Sequence, residues 1–361
     1  MKKNIITLII CLLPLWGFSQ IPYGGYYDDA VGKQREELKE ALYEIINNNT
    51  ILEYSALWNY FILTDSKPNG KVWDIYSDIP NGTPSYEYTF ATNQCGNYSG
   101  EGDCFNREHS IPNSWFGGEQ YPMYSDLFHL YPTDGWVNNK RSNYPYGEVE
   151  SANWTSTNGS KLGSCSYPGY TGIVFEPIDE YKGDLARTYF YMSVRYKNIN
   201  LGQTSLSVFS GADLDPWALS LFMEWHLADT VSAKEIARNE KIYTIQNNRN
   251  PFIDYPELAS YLWGNDTTNI FAPYIVSDIT DYQPRITEIF PNPAHEKITL
   301  LFTDVIDGKI HITDMVGRVV MTCSIERTSE FSINISGLPS GVYTLFLEEK
   351  ERKEIKKFII W

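Results

Sequence analysis

The chain has 361 residues, more than one typical domain needs, and points to two. Hydrophobic residues make up 42% and charged residues 20%, which excludes a disordered tail and a coiled coil. With 29 Lys+Arg against 45 Asp+Glu the formal charge is −16, so bulk charge cannot attract nucleic acid, although a locally cationic, metal-assisted phosphodiester site remains open.

Residues 1–20 read as a secretory signal peptide. Lys2 and Lys3 form a basic start, and Ile5 to Phe18 is apolar but shorter than the ~18–20 residues that span a bilayer. No other run is long enough, so no membrane span is expected in the mature chain. Residues 33–48 carry Leu38, Leu42, Ile45 and Ile46, the spacing of an amphipathic helix. A long stretch rich in Gly, Pro, Asn and Tyr follows, from roughly 75 to 170, and predicts short strands and loops. Residues 183–196 place Leu185, Tyr189, Met192 and Tyr196 at helical spacing. Asp215-Pro216 predicts a third helix start, with Asp as the cap. Ser232-x-x-Glu235 predicts a capping box on a fourth. The Gln246–Asn250 run reads as a helix C-terminus closed by side-chain hydrogen bonds.

Composition changes near 265–284, where Asn, Asp, Thr and Pro suggest a linker. Beyond it, segments 297–302, 309–313, 318–322, 331–335, 342–346 and 356–360 suit strands, separated by signals such as Asp307-Gly308 and Pro339-Ser340-Gly341. A β-sandwich of about 75 residues fits that spacing. The expected fold class is α+β: a mostly helical domain over 21–266, a linker over 267–284 and a β-sandwich over 285–361. The acidity lies in 21–284, with 17 basic and 34 acidic residues; from Arg285 on there are ten and eleven.

Export permits disulfides. Cys11 leaves with the signal, and Cys95 with Cys104 is the favoured pair because both sit in one Gly-rich loop. Cys165 and Cys323 fall in different expected domains and are expected to stay unpaired.

Reactive side chains concentrate in Asn106–Phe116 and Asp126–Asn143, which hold His109 and His129. Phosphodiester hydrolysis needs a base with a pKa near neutrality and a cation facing the phosphate. His109 suits the first task. Glu108 and Asn138 offer a carboxylate and an amide oxygen, the donors a hard cation prefers. Arg141 is a candidate for holding phosphate, and His129 is a secondary candidate. Glu108 and His109 are sequence neighbours, so a regular strand would turn them to opposite faces; both serve one point only if the backbone bulges there.

These segments resemble the endonuclease I family of secreted bacterial nucleases, which use a ββα-metal (His-Me) finger. The matching residues are Glu108-His109, Pro112, Trp115, Asp126-Leu127, His129-Leu130, Pro132 and Val137-Asn-Asn-Lys-Arg-Ser-Asn143. Further similar blocks are Phe175-Glu-Pro177, Lys182–Arg187, Tyr189–Met192, Arg238-Asn239 and Gln246–Phe252. The resemblance implies His109 as general base, Glu108 and Asn138 as holders of one Mg2+ (with Mn2+ or Ca2+ as substitutes), and Arg141 near that metal. It implies a sequence-nonspecific endonuclease acting on DNA, with RNA as a second candidate. Phosphate contacts carry no sequence information, which agrees with nonspecific cutting. Some members carry a phosphate-binding Arg between the two motif halves; residues 110–126 here contain none.

The tail, with Phe290-Pro-Asn-Pro-Ala294, Gly341-Val-Tyr343 and Lys356-Lys-Phe-Ile-Ile360, resembles the C-terminal sorting domain of the type IX secretion system. It implies secretion machinery as a partner and a secreted or cell-surface address. The chain is expected to act as a monomer. A catalytically inactive nucleic-acid-binding protein on a nuclease-like scaffold is the alternative.

Overall fold

A computed structural model describes residues 25–202, 208–273, 285–314, 318–349 and 352–361. The expected signal peptide and residues 274–284 of the expected linker lie outside the described residues. The fold is α+β, and the chain divides into two compact units, Met1–Ile275 and Val276–Trp361. Among the described residues no helix is long and apolar enough to cross a membrane.

In the first unit, α1 (Arg35–Ile46) buries Leu38, Leu42 and Ile46 of the predicted stripe, leaves Ile45 half-buried, and carries Glu36 and Glu37 in its first turn, where the helix dipole favours them. The next helix, α2 (Leu57–Thr64), has no capping side chain and no charge, so nothing in its residues marks where it starts. A two-stranded antiparallel sheet follows, β1 (Phe105–His109) with β2 (Leu130–Asp134), and the chain passes directly from β2 into α3 (Gly135–Arg141). A three-stranded sheet of β3 (Val149–Thr155), β4 (Lys161–Cys165) and β5 (Ile173–Glu176) comes next.

The predicted second helix is α4 (Lys182–Arg195), but it is not one-faced: all fourteen residues are buried. Packing from every side is affordable only because its polar groups are matched. Lys182 reaches Glu176 at 3.0 Å, Asp184 accepts from Lys234 at 3.0 Å, Arg187 grips Glu235 at 2.8 Å, and Arg195 donates to Asn49 at 3.0 Å. Gly183 is required here, since a Cβ would lie 2.2 Å from the Asp229 carbonyl oxygen.

A short ladder, β6 (Phe209–Ser210) with β7 (Asp213–Leu214), precedes α5 (Pro216–Ala228). Pro216 opens α5 as predicted, but the Asp215 carboxylate makes no capping bond. Helix α6 (Ala233–Gln246) begins with the predicted capping box between Ser232 and Glu235 and stops at Asn247, which is left-handed at φ 62°. Apart from exposed Asn247, the run Gln246–Asn250 is buried and bonded, as expected: Gln246 donates to Asp126, Asn248 to Tyr191, and Asn250 caps α7 (Pro251–Asp254). Helix α8 (Leu258–Trp263) completes the unit.

The second unit corrects the sandwich expectation. Its strands β8 (Ile286–Phe290), β9 (Lys297–Thr313), β10 (Val319–Asn334), β11 (Gly341–Glu349) and β12 (Arg352–Ile360) form one hydrogen-bonded sheet, ordered β10-β9-β11-β12 with β8 also on β9. Expected segments 297–302 and 309–313 merge into β9, and 318–322 and 331–335 into β10, so Asp307-Gly308 lies within a strand. Register shifts at Ile325, Thr328 and Glu330 explain this, because bulges raise local twist and let a long strand bend instead of breaking. The sheet curls around Ile298, Leu300, Ile310, Ile312, Leu345, Leu347 and Phe358. Ala294 donates to the Ile359 carbonyl at 2.8 Å and accepts from Trp361 at 3.0 Å, which ties β12 to the segment after β8.

Candidate active site

The site is built on β1, β2 and α3. Asp134 ends β2 and caps α3: its Oδ1 accepts from the Val137 amide at 2.8 Å, and its Oδ2 accepts from Gly102 at 2.8 Å and from the Tyr88 hydroxyl. The predicted disulfide joins Cys95 to Cys104, and the Cys104 carbonyl accepts from Gly135 at 2.9 Å, so the bridge anchors the start of α3. Cys165 and Cys323 are free.

From Phe105↔Asp134 to His109↔Leu130 the register of β1 on β2 runs without a shift. There is no bulge at Glu108-His109, so the two side chains leave opposite faces, as regular strand geometry requires. One face of β1 carries Asn106 and Glu108 toward α3, whose Asn138 and Arg141 are one turn apart. Asn138 Nδ2 donates to Asn106 Oδ1 at 2.8 Å, and Arg141 Nη1 donates to Glu108 Oε1 at 2.9 Å. Glu108 and Asn138 therefore share one strand–helix seam.

Glu108 is 2% exposed. Its Oε1 also receives the Tyr76 hydroxyl at 2.8 Å and the Tyr146 hydroxyl at 3.4 Å. Burial raises its pKa, against the lowering by Arg141 and the two tyrosines. Arg141 is 0% exposed. Besides Glu108 it holds the His109 carbonyl at 2.8 Å and the Ser110 carbonyl at 2.5 Å, and its guanidinium lies 4.5 Å from the Tyr146 ring centre. The sequence offered Arg141 for phosphate; the fold places it inside, between β1 and α3.

His109 stands on the other face, half-buried. Its ring stacks on Tyr124 at 5.1 Å and Tyr54 at 5.6 Å. Nε2 lies 3.0 Å from the Tyr124 carbonyl oxygen. A carbonyl only accepts, so Nε2 carries the proton and Nδ1 is the basic nitrogen. Burial, then the neighbouring His129, pushes the ring's pKa down to about 3, so the imidazole is neutral at ordinary pH but a weaker base than the near-neutral one expected from the sequence. His129 is fully buried behind it, with ring centres 5.4 Å apart, and uses its own Nε2 on the Met123 carbonyl at 2.6 Å. The two rings thus hold consecutive carbonyls of one loop.

Sequence reasoning missed Tyr54, Tyr76, Tyr124 and Tyr146, which lie 15 or more residues from the histidine or carboxylate they serve and carry no local pattern. It also passed over Arg107, although strand period alone places that residue on the face of His109. Among the described residues no cluster of three or more His, Cys, Asp or Glu is set to hold a metal. A two-ligand oxygen site still fits the seam. The three contacts to Glu108 all fall on Oε1, the Asn138 amide nitrogen is occupied by Asn106 so that its oxygen points elsewhere, and a hard cation such as Mg2+ commonly completes its shell with water.

The chain is 36% identical over 244 residues to an extracellular ribonuclease of Bacillus amyloliquefaciens, covering 66% of this chain and 78% of that one. It is 34% identical over the same length and the same shares to an extracellular ribonuclease of Bacillus subtilis. An extracellular deoxyribonuclease of Aeromonas hydrophila is 29% identical over 134 residues, 37% of this chain and 50% of that one. The profile of the secretion system C-terminal sorting domain matches residues 288–361. The profile of Endonuclease I matches residues 34–257, and the chain belongs to that family: it is a nuclease, a phosphodiester hydrolase, secreted or held at the cell surface.

Proposed function

We propose that the chain hydrolyses DNA and RNA without base specificity, with His109 as general base and Glu108 and Asn138 as the holders of one divalent cation, Mg2+ by preference and Mn2+ or Ca2+ as substitutes. The observation that carries the reading is the hydrogen bond from His109 Nε2 to the Tyr124 carbonyl. It fixes the tautomer and leaves Nδ1 to accept a proton from water. The water oxygen then bonds to phosphorus, the 3′ oxygen leaves with its electron pair and gains a proton from solvent, and His109 returns its proton to bulk. The 5′ end keeps the phosphate. When bound, the cation supplies positive charge; because Glu108 and His109 leave opposite faces of β1, it serves the same phosphate as His109 only where that phosphate sits across the end of the strand at His109. The curated ribonuclease relatives place RNA beside DNA as a substrate to test.

Arg141 is proposed as a positioning residue, since it holds Glu108 and the His109 carbonyl together. His129 is proposed to steady the Met123–Tyr124 loop that orients His109. The segment 21–266 is proposed as the nuclease domain acting as a monomer, 267–284 as a linker, and 285–361 as the part recognised by secretion machinery. Residues 1–20 are proposed to direct export.

One observation favours the second reading, a binding protein without turnover: the buried Arg141 already satisfies one oxygen of Glu108. A single assay separates the two. The purified chain with Mg2+ should cut plasmid DNA and a structured RNA, and excess chelator should stop it. His109→Ala should lose at least about 100-fold in rate, the usual worth of a general base. Binding without cutting by the parent chain would leave the inactive reading standing.

A further inference from the structure

We propose that Arg107 is the cation that contacts the scissile phosphate, an assignment that rests on the nuclease reading above. A phosphoryl group gaining charge is stabilised by positive donors aimed at its oxygens, here including one on the side where His109 would activate water. Arg141 cannot reach that side. It is fully buried, with Nη1 committed to Glu108 and the His109 carbonyl, Nη2 to the Ser110 carbonyl, and Nε enclosed without a partner. Arg107 lies two residues before His109 in a strand whose register is unbroken, so both leave the same face of β1.

The surroundings of Arg107 suit the task. Its guanidinium lies 3.7 Å from the centre of the Tyr54 ring and 4.6 Å from that of Trp58. The Tyr54 ring also stacks on His109. Base and cation therefore border one aromatic side chain. Arg107 Nη1 donates to the Tyr54 carbonyl at 2.7 Å, which fixes the fork. Among the described residues no carboxylate pairs with Arg107, and Nε and Nη2 are neither bonded nor sealed from solvent. An arginine held by stacking, with one nitrogen engaged and two available, is preorganised for a phosphate oxygen at little entropic cost.

A purely structural alternative has Arg107 only clamping Tyr54. The two differ in kinetics. The full chain is assayed first. If the parent does not cut DNA or RNA with Mg2+, the nuclease reading fails, and this assignment with it. With an active parent, Arg107→Gln and Arg107→Lys are compared under saturating and limiting substrate, alongside thermal unfolding. The expected result is a kcat loss of about 100-fold in Arg107→Gln with KM little changed, the usual effect of removing one charge-stabilising donor. Added guanidinium should restore part of that rate, and Arg107→Lys should fall between, because it keeps the charge and loses the fork. An Arg107→Gln rate within about threefold of the parent, or a loss that guanidinium does not restore, overturns the assignment. If Arg107→Gln does not fold, Arg107→Lys decides: a kcat loss of about tenfold or more at parental stability supports the contact, and a parental kcat refutes it.

Discussion

Replacing Arg141 by Met should destabilise the first unit severely. Arg141 is 0% exposed and donates to Glu108, to the His109 carbonyl and to the Ser110 carbonyl. Met fills much of the volume but offers no donor. Glu108, 2% exposed, would keep its two tyrosines but lose the one cationic side chain that pairs with it among the described residues, and breaking a buried pair from one side costs about 3–5 kcal/mol. Two carbonyls would also lose a partner, at about 1 kcal/mol or more each. These losses share one network and do not simply add, so about 5 kcal/mol is a fair total. At roughly 2–4 °C per kcal/mol for a unit of this size, Tm should fall by about 10–20 °C. Thermal unfolding of the purified chain measures it. The double variant Arg141→Met with Glu108→Gln should be more stable than Arg141→Met by about 2 kcal/mol, because no charge is then left buried and unpaired. The pH sign is also fixed. Burial already holds the folded pKa of Glu108 above its unfolded value of ~4.3, and without Arg141 it rises further, so the single variant is relatively most stable below that pH and weakens more steeply than the parent as pH rises. A Tm within about 3 °C of the parent, or a double variant no better than the single, would refute the claim that this ion pair joins β1 to α3.

The remaining predictions concern parts away from the chemistry. His226 Nε2 donates to the Pro256 carbonyl and its Nδ1 accepts from Arg187, so the neutral ring is fully used; burial, then Arg187, pushes its pKa down to about 4. Stability should be lost as pH falls from ~6.5 toward about 4, and His226→Gln should flatten that part of the pH–Tm curve relative to the parent. An identical slope in both proteins would dismiss this group. Gly183→Ala puts a methyl 2.2 Å from the Asp229 carbonyl oxygen inside a fully buried helix and should cost at least about 1–3 kcal/mol in denaturant unfolding. Replacing Cys95 and Cys104 together by Ser opens a loop with a sequence separation of 9 and should lower stability by about 2–3 kcal/mol, read as a lower denaturant midpoint. Unchanged midpoints in either case would show that the segment tolerates the change.

What the sequence determined by itself was local. The apolar spacing of Leu38, Leu42 and Ile46 specified α1, Ser232 and Glu235 specified the start of α6, and two cysteines in one Gly-rich loop specified the disulfide. Each is decided by residues a few positions apart, where backbone period and chain geometry govern. The motif around Glu108, His109 and Asn138 was legible for a similar reason, as ordered residue types along one stretch. Tertiary structure alone decided the rest. Glu108 meets Tyr76 from 32 residues away and Arg141 from 33, and nothing near either partner announces it. The stripe on α4 looked like one apolar face, but Glu235, Lys234 and Glu176 neutralise its charged side and allow burial all round. In the second unit the alternation was right while the strand breaks were not, because bulges in β10 carry the chain through bends that turn residues seemed to end. Most important for function, whether Arg107 or Arg141 faces outward depends on which side of β1 meets α3. Packing sets that choice, because a carboxylate and an arginine can be buried only together.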